Sequence, residues 1–308
     1  MSPARSLDAI APCAVSGLGK WTPDRQPTTI QRPDMNSRQF LLSSSTLAIL
    51  ILPSLLTAAD PAPVKKLILP GESFLVAERP AFILLPPEEK RTKPQPWIMY
   101  APTLPPYPDA AEKWMHEQFT NSGVAVCGID IGEAYGNPKG REQFTALYDE
   151  LTKNRGFAPK CCVLGRSRGG LWVTSWTADH PDKVAGLAAI YPVFDFRTYP
   201  GLQRAAPAYG LKPEELEAQA GELNPINRVP ILAKAKISAF IIHGDQDKVV
   251  PLKENSATFV EHYKTAGPED QVKLVVAEGQ GHNYWEGFFK CQELVDFAIA
   301  RAKAGATK

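Results

Sequence analysis

The residues of this chain that are best suited to chemistry centre on a serine placed between glycines. Ser167 lies in the run Gly165-Arg166-Ser167-Arg168-Gly169, which has the spacing G-x-S-x-G. A serine hydroxyl is a weak nucleophile until a base removes its proton, and a histidine that acts as this base needs a carboxylate to fix its tautomer. The sequence therefore predicts that Ser167 attacks a carbonyl carbon with the help of a histidine and an acid.

Two later stretches supply the acid and the histidine. Asp245 and Asp247 closely follow one apolar run, and His282 follows another apolar run at residues 272–276. Short apolar runs predict buried strands, and the carboxyl ends of parallel strands meet at one edge of a sheet. We therefore expect these two stretches to meet Ser167 at that edge, where Asp245 and Asp247 are both candidates for the acid. The histidines at these strand ends are His282 and His243, and His243, which begins the acid turn, is the better suited of the two to shape that turn through hydrogen bonds.

The residues on either side of Ser167 predict a strand, a sharp turn and a helix. Residues 161–164 are a short apolar run, and residues 171–176 begin a helical pattern. Such a turn holds the serine backbone in a sparsely populated conformation and brings the strand and the helix close together. Gly165 and Gly169 are expected to give the necessary clearance. This context is typical of a nucleophile elbow, which presents the serine at the carboxyl end of its strand.

The chain from residue 60 to residue 308 alternates between apolar runs and amphipathic segments. Apolar strands, rather than strands of alternating polarity, indicate a parallel sheet that helices cover on both faces. We predict one α/β domain with a mostly parallel sheet of about eight strands. The expected strands lie at residues 66–69, 73–76, 81–85, 96–102, 124–130, 161–164, 184–191, 238–242 and 272–276, and the expected helices at 109–121, 141–153, 252–265, after Ser167, and from 285 towards 300.

Residues 194–229 interrupt this alternation. The segment is rich in proline and glycine around one polar helical stretch at residues 213–223. An insertion above the carboxyl edge of the sheet would cover the site and act as a lid or a wall for the substrate. A surface excursion without a role at the site is the alternative.

The N-terminal residues differ in character from the rest. Residues 1–34 are polar and show no sustained periodicity, whereas residues 35–59 have a short cationic start, an apolar core and a small-residue end at Ala59. This pattern is typical of a secretory signal peptide. We expect Met35 to be the physiological start, residues 1–34 to be a non-native extension, and the protein to be exported to the periplasm or the exterior. A membrane anchor and a buried helix are the alternatives.

Composition narrows the classes of function. The chain has 308 residues, of which 44% are hydrophobic and 22% charged, with a formal net charge of +1. These values are typical of a soluble globular protein, and the lack of a basic excess excludes most nucleic-acid-binding proteins. No spacing of cysteine and histidine indicates a metal site, and no metal or cofactor is expected. We expect Cys127, Cys161 and Cys162 to be buried thiols, with disulfides, which would include Cys291, as the alternative.

Three motifs together resemble a known superfamily. The glycine-flanked Ser167, the acid turn at residues 243–251 and the pair Gly281-His282 resemble the α/β-hydrolases, particularly the dienelactone-hydrolase-like and prolyl-oligopeptidase-like single-domain esterases. The order serine, acid, histidine matches that fold. The resemblance implies that Asp247 is the acid, that His282 is the base, and that a carboxylic ester is cleaved through an acyl-enzyme.

Two other functions stay open at this point. A serine peptidase or amidase of the prolyl-oligopeptidase type uses the same residues, but the given chain shows no segment resembling a propeller domain, which favours small or exposed esters. A binding protein on a retained hydrolase scaffold would need no catalysis, but the chain keeps all three catalytic residue types.

The remaining candidates surround the nucleophile. An oxyanion hole needs two backbone N–H groups, and we assign these to Arg168, directly after the serine, and to Thr103, after the strand at 96–102. Tyr135 and Trp285 are expected to line the pocket.

Two arginines flank the serine, and each has two interpretations. A guanidinium at this position can bind a substrate carboxylate in a bidentate manner, so Arg166 and Arg168 suggest an anionic or carbohydrate-linked ester. The Ser-Arg pair also resembles that of secreted glucuronoyl esterases, although the cysteine and the lysine of their longer motif are absent here. Alternatively, one arginine pairs with Asp130 or Glu133 and only braces loops.

Overall fold

An eight-stranded sheet forms the centre of the fold. The computed structural model describes residues 65–307. The order across the sheet is β1-β2-β4-β3-β5-β6-β7-β8, in which β2 pairs antiparallel with β1 and β4 and all other neighbours are parallel. The predicted, mostly parallel α/β sheet is thus confirmed. The strands are β1 (Gly71–Val76), β2 (Arg79–Leu84), β3 (Trp97–Ala101), β4 (Ala125–Ile129), β5 (Cys161–Arg166), β6 (Val184–Ile190), β7 (Ala239–Gly244) and β8 (Val272–Ala277).

Helices cover both faces of this sheet. Alternate residues of each central strand enter two apolar clusters, so that Met99 of β3 packs on one face and Tyr100 on the other. The first face is covered mainly by α2, α3, α7 and α8, and the second mainly by α1 and α10. The helices are α1 (Lys113–Asn121), α2 (Pro138–Asp149), α3 (Gly169–Asp179), α4 (Leu202–Tyr209), α5 (Pro213–Ala218), α6 (Ala220–Leu223), α7 (Pro225–Lys234), α8 (Thr258–Ala266), α9 (Glu286–Phe289) and α10 (Gln292–Ala304).

Helix α3, which carries the residues after Ser167, is the most buried helix of the fold. Every residue of α3 except Asp179 is buried. A helix that is apolar all round must be enclosed by other elements. Here it lies between the sheet and α2 and α7. The start of the helix is therefore rigidly placed relative to the strands.

The strand expected at residues 66–69 and the last expected helix differ in the structure. Residues 66–69 form no strand, because Pro70 lacks an N–H and the paired strand begins only at Gly71. Leu67, Ile68 and Leu69 pack against the second apolar cluster instead. The last predicted helix is split into α9 and α10, because Cys291 between them has an extended backbone.

The insertion at residues 194–229 folds into α4, α5, α6 and the start of α7. Asn224 ties it together, since its Nδ2 donates to Asp195 (2.6 Å) and its Oδ1 accepts from the N–H of Phe196 (3.2 Å). The Tyr209 hydroxyl donates to the carbonyl of Tyr135 outside the insertion (2.8 Å). Whether the insertion acts as a lid stays a prediction.

Several expectations concern groups away from the site. Cys127, Cys161 and Cys162 are buried free thiols in β4 and β5, and Cys291 is a half-buried free thiol. Across residues 65–307 we find no helix with the length and hydropathy of a membrane span. The same residues contain no group of three metal-ligating side chains. The predicted extension and signal peptide lie outside the described residues.

Candidate active site

Ser167 occupies a sharp turn between β5 and α3. Its φ is 51°, in the left-handed region that non-glycine residues rarely adopt. Three backbone hydrogen bonds hold this conformation: the Ser167 N–H donates to Ile190 (3.0 Å), and its carbonyl accepts from Gly170 (3.0 Å) and Val193 (2.8 Å). A strained backbone that its neighbours fix in this way is a feature of functional sites. The turn is therefore a nucleophile elbow in geometry as well as in sequence.

The glycines of the elbow are needed for clearance. A Cβ at Gly165 would lie 2.9 Å from Cγ2 of Val173, and a Cβ at Gly169 would lie 2.2 Å from the carbonyl oxygen of Ala101. Gly170, which the sequence did not single out, would place a Cβ 2.6 Å from the carbonyl oxygen of Val193. The contacts at Gly169 and Gly170 are with backbone, which cannot move aside. Larger residues at those two positions would displace the elbow.

The structure brings Ser167, His282 and Asp247 together in one hydrogen-bonded chain. Ser167 Oγ lies 2.8 Å from His282 Nε2, and His282 Nδ1 lies 2.7 Å from Asp247 Oδ2. With Nδ1–H donating to the carboxylate, Nε2 presents its lone pair to the serine hydroxyl. The arrangement can therefore take the serine proton and stabilise the imidazolium that results.

Asp247 is buried, and its carboxylate is well satisfied. Its Oδ1 accepts from the N–H groups of Val249 (2.9 Å) and Val250 (2.8 Å). Burial raises the pKa of Asp247, but hydrogen bonds from His243, His282 and Val250 outweigh burial and hold this pKa well below its usual range. The acid stays ionised while it orients His282.

His243 braces the acid turn, as the sequence led us to expect. Its Nε2 lies 2.9 Å from the carbonyl of Val250 and 3.3 Å from Asp247 Oδ2, while Nδ1 lies 2.7 Å from Ser256 Oγ. A carbonyl only accepts, so Nε2 carries the hydrogen and Nδ1 accepts from the serine. Both ring nitrogens are occupied, which leaves His243 no role as the base.

The second candidate acid, Asp245, makes no hydrogen bond to His282. Its Oδ1 accepts from the N–H of Gly279 (2.7 Å). This bond fastens the loop that carries His282 to the end of β7. The geometry therefore distinguishes the two aspartates: Asp247 accepts a hydrogen bond from His282, whereas Asp245 accepts one from the backbone of Gly279.

The two expected oxyanion donors have different surroundings. Among residues 65–307, the Arg168 N–H donates to no protein acceptor, and Arg168 lines the pocket beside Ser167. Thr103 is fully buried and does not line this pocket: its hydroxyl donates to Ile129, and its carbonyl accepts from Lys65 Nζ (2.8 Å). Pro102, which has no N–H, forms that part of the wall instead. Arg168 therefore lies beside Ser167 as expected, whereas Thr103 is buried away from the lining of the pocket, and its assignment as the second donor stays a prediction.

A pocket of about 190 Å³ opens at Ser167 and His282. Aromatic rings form much of its wall, but they are not the two that we expected. Trp285 is 42% exposed and packs edge-on against Phe288 (5.2 Å between centroids). Tyr135 is near Glu133 and Tyr199 and does not line the pocket. The rings that line the pocket are Tyr107, Tyr191, Tyr199 and Tyr284.

The sequence carried a signal for only two of these tyrosines. Tyr191 directly follows β6, and Tyr284 lies two residues after His282, so both follow strand ends or site motifs. Tyr107 and Tyr199 come from proline-rich connections whose paths no local pattern predicts.

Arg166 lines the pocket, but its charge is already neutralised. The side chain is 4% exposed, and Nη1 contacts Asp109 (3.0 Å) and Glu112 (2.8 Å). Its Nε donates to the Tyr191 hydroxyl (3.0 Å). Burial opposes the charge, but Glu112 and its neighbours raise the pKa of Arg166, which stays protonated. Binding of a substrate carboxylate by Arg166 is therefore corrected to a role in holding the walls together.

Arg168 has a more accessible partner. Its guanidinium pairs with Glu133, one of the two carboxylates named from the sequence, and the two side chains are 25% and 41% exposed. Exposed pairs of this kind contribute little to stability, on the order of 0–1 kcal/mol. A carboxylate on a bound molecule can therefore compete with Glu133 for Arg168.

Part of the chain that includes this site matches a known protein family. Residues 134–298 match the model of the prolyl oligopeptidase family, a span that begins before Ser167 and includes Asp247 and His282. No curated protein sequence matches the chain.

Several solved structures share the fold. Est1E from Butyrivibrio proteoclasticus is 21% identical with a TM-score of 0.56, over 75% of this chain and 98% of that one, and it has also been solved with ferulic acid bound. A puromycin-hydrolyzing peptidase from Mycobacterium tuberculosis is 14% identical with a TM-score of 0.59, over 77% of this chain and 39% of that one. MPT51 from the same organism is 14% identical with a TM-score of 0.59, over 75% of this chain and 98% of that one. At these identities the likeness shows the fold alone.

Proposed function

Since this chain belongs to the prolyl oligopeptidase family and is a serine hydrolase of the α/β-hydrolase fold, we propose that it cleaves carboxylic esters through Ser167, His282 and Asp247. The observation that carries the proposal is the hydrogen-bonded chain of these three residues, of which Ser167 and His282 line the pocket.

The reaction follows from the geometry. His282 Nε2 takes the proton of Ser167 as Oγ bonds to the carbonyl carbon, and the carbonyl oxygen gains negative charge. The N–H of Arg168, which donates to no protein acceptor among residues 65–307, is available to that oxygen, and Asp247 stabilises the imidazolium. The imidazolium then protonates the departing alcohol, which leaves an acyl-enzyme. Water, activated by the same histidine, releases the acid and restores Ser167.

Ester substrates can be separated from peptides by direct assay. We expect the protein to hydrolyse p-nitrophenyl acetate and short-chain alkyl esters at least 100-fold more efficiently, by kcat/KM, than amino-acyl p-nitroanilides, a gap of roughly 3 kcal/mol in the barrier. The small pocket beside an open mouth suits an ester of a small acid. Comparable rates on both panels would indicate a peptidase, and no turnover of any substrate by the folded protein would favour a binding function.

Export belongs to the same proposal. We infer it from the signal-like residues 35–59. Mass spectrometry of the secreted protein should find an N-terminus after Ala59, and a mature N-terminus before Met35 would contradict the assigned start.

An anionic or carbohydrate-linked ester is the finer proposal, and Arg168 tests the anionic part. We expect Arg168→Gln to raise KM for monoethyl succinate roughly tenfold, because a charge-assisted hydrogen bond to the substrate carboxylate is lost. KM for diethyl succinate, which has no charge, should change by less than about twofold on the same scale. Steady-state kinetics on the two esters measure the difference.

Glu133 offers a matched control for this experiment. Glu133→Gln frees the guanidinium of Arg168, so KM for monoethyl succinate should fall while KM for the diethyl ester stays constant. If both variants changed the two esters equally, Arg168 would act on the oxyanion or on the loops rather than on the substrate carboxylate.

A further inference from the structure

The buried guanidinium of Arg166 is surrounded by aromatic rings as well as by carboxylates. Its Cζ lies 5.0 Å from the ring centroid of Tyr107, 5.0 Å from that of Tyr284 and 4.8 Å from that of Phe289. Cations within about 6 Å of a ring centroid attract the ring. Because Asp109 and Glu112 fix the guanidinium, the rings around it are held in place.

Tyr284 is the exposed member of this group. Its side chain is 63% exposed, yet Arg166 holds the ring, and Phe289 packs beside it at 6.1 Å with an interplanar angle of 32°. Most exposed side chains exchange rotamers freely and lose entropy when they bind a ligand. A ring that is already held in place loses less conformational entropy on binding. Because most of the surface of Tyr284 is still exposed, this ring is preorganised for stacking on a ligand.

The position of Tyr284 indicates which half of an ester it would contact. His282 must donate its proton to the departing alcohol, so the alcohol lies beside this imidazole. Tyr284 lies two residues after His282 and lines the same pocket, and Val249 lines it from the acid turn with 49% of its surface exposed. These two side chains share the lining of the pocket with His282, so an alcohol that extends beyond the imidazole can contact them.

We propose that Tyr284, with Val249, forms a subsite for an alcohol that contains a ring. The substrates are then esters whose leaving alcohol stacks the face of this ring on Tyr284. This rests on the proposed ester hydrolysis and adds the chemical class of the alcohol. A tyrosine face stacks on an aryl ring and on the apolar face of a sugar ring alike. Tyr284 is a specificity residue here and takes no part in proton transfer.

The test compares Tyr284→Ala with Trp285→Ala. Trp285 is the neighbouring exposed aromatic residue and lies outside the pocket, which makes it a matched control. Both variants and the unaltered protein are assayed on methyl acetate, phenyl acetate and an acetylated methyl glucoside, and each result is the ratio of kcat/KM to that of the unaltered protein. Because each ratio compares two proteins on the same ester, differences in intrinsic reactivity between the esters cancel.

We expect Tyr284→Ala to lower kcat/KM roughly five- to tenfold on at least one ring ester and less than twofold on methyl acetate. Trp285→Ala should change all three less than twofold, and Tyr284→Phe, which keeps the ring, should restore the activity. A loss confined to phenyl acetate identifies an aryl alcohol, and a loss confined to the glucoside identifies a carbohydrate. Equal losses on methyl and ring esters, or no loss on either ring ester, would overturn the subsite.

A binding measurement separates this proposal from the ester hydrolysis beneath it. Calorimetry with phenyl acetate and the glucoside acetate on Ser167→Ala and on Ser167→Ala/Tyr284→Ala needs no turnover. Weaker binding in the double variant supports the subsite even if the unaltered protein cleaves no ester, an outcome that would refute only the proposed function. Equal binding by the two proteins would refute the subsite.

Discussion

Ser167→Ala is expected to lower kcat for ester hydrolysis by roughly 10⁶-fold. This is the loss expected when the serine nucleophile of a triad is removed while the histidine and the acid remain. The change removes Oγ and its contact with His282 Nε2 and nothing else. The walls of the pocket stay in place, so the affinity for the substrate should change only a few-fold. The loss should therefore appear in kcat.

Labelling with a fluorophosphonate measures the same residue without a substrate. The unaltered protein should take up one label, found by mass spectrometry on the peptide that contains Ser167, and Ser167→Ala should take up none. Ser175→Ala is the matched control: Ser175 is a buried serine of α3 whose Oγ has no hydrogen-bond partner among the described residues. Label retained by a folded Ser167→Ala protein would exclude Ser167 as the nucleophile.

The three residues of the proposed triad were accessible from sequence because each depends on a local pattern. Ser167 follows an apolar strand and precedes a helix, and Asp247 and His282 follow two further strands. In a parallel sheet the carboxyl ends of strands share one edge, so local patterns are enough to bring distant residues together. The choice between Asp245 and Asp247 was different, since the residues alone left it open and only the resemblance favoured Asp247.

The surroundings of the arginines were less accessible for a physical reason. Glu133, which follows β4, was named as a partner because it follows a strand end at the same edge, and it pairs with Arg168. Arg166 instead meets Asp109 and Glu112, which belong to the connection between β3 and α1. The path of a proline-rich connection depends on what it packs against, and no periodicity encodes it.

Asp247→Asn should lower kcat/KM by roughly 10⁴-fold, while Asp245→Asn should change it less than about threefold. An asparagine at 247 can keep Oδ1 as the acceptor for Val249 and Val250, which places its amide nitrogen opposite His282 Nδ1. The imidazole must then accept at Nδ1 and carry its hydrogen at Nε2, where it can no longer take the proton of Ser167. An asparagine at 245 keeps the acceptor for Gly279, so the histidine loop stays in place.

The Asp247→Asn variant also makes a prediction about pH. The pKa of Asp247 in the folded protein is held below its ordinary value, so its charge contributes stability that is present above the unfolded pKa of about 3.9 and is lost as pH falls through the folded pKa. The free energy of unfolding of the unaltered protein minus that of Asp247→Asn should therefore shrink as pH falls from about 5 to about 3. Urea titrations at these pH values measure it. A difference that stayed constant to about pH 3 would mean that the carboxylate gains no net stabilisation from His243 and His282, and hence that it does not hold the base in the orientation on which the proposed reaction depends.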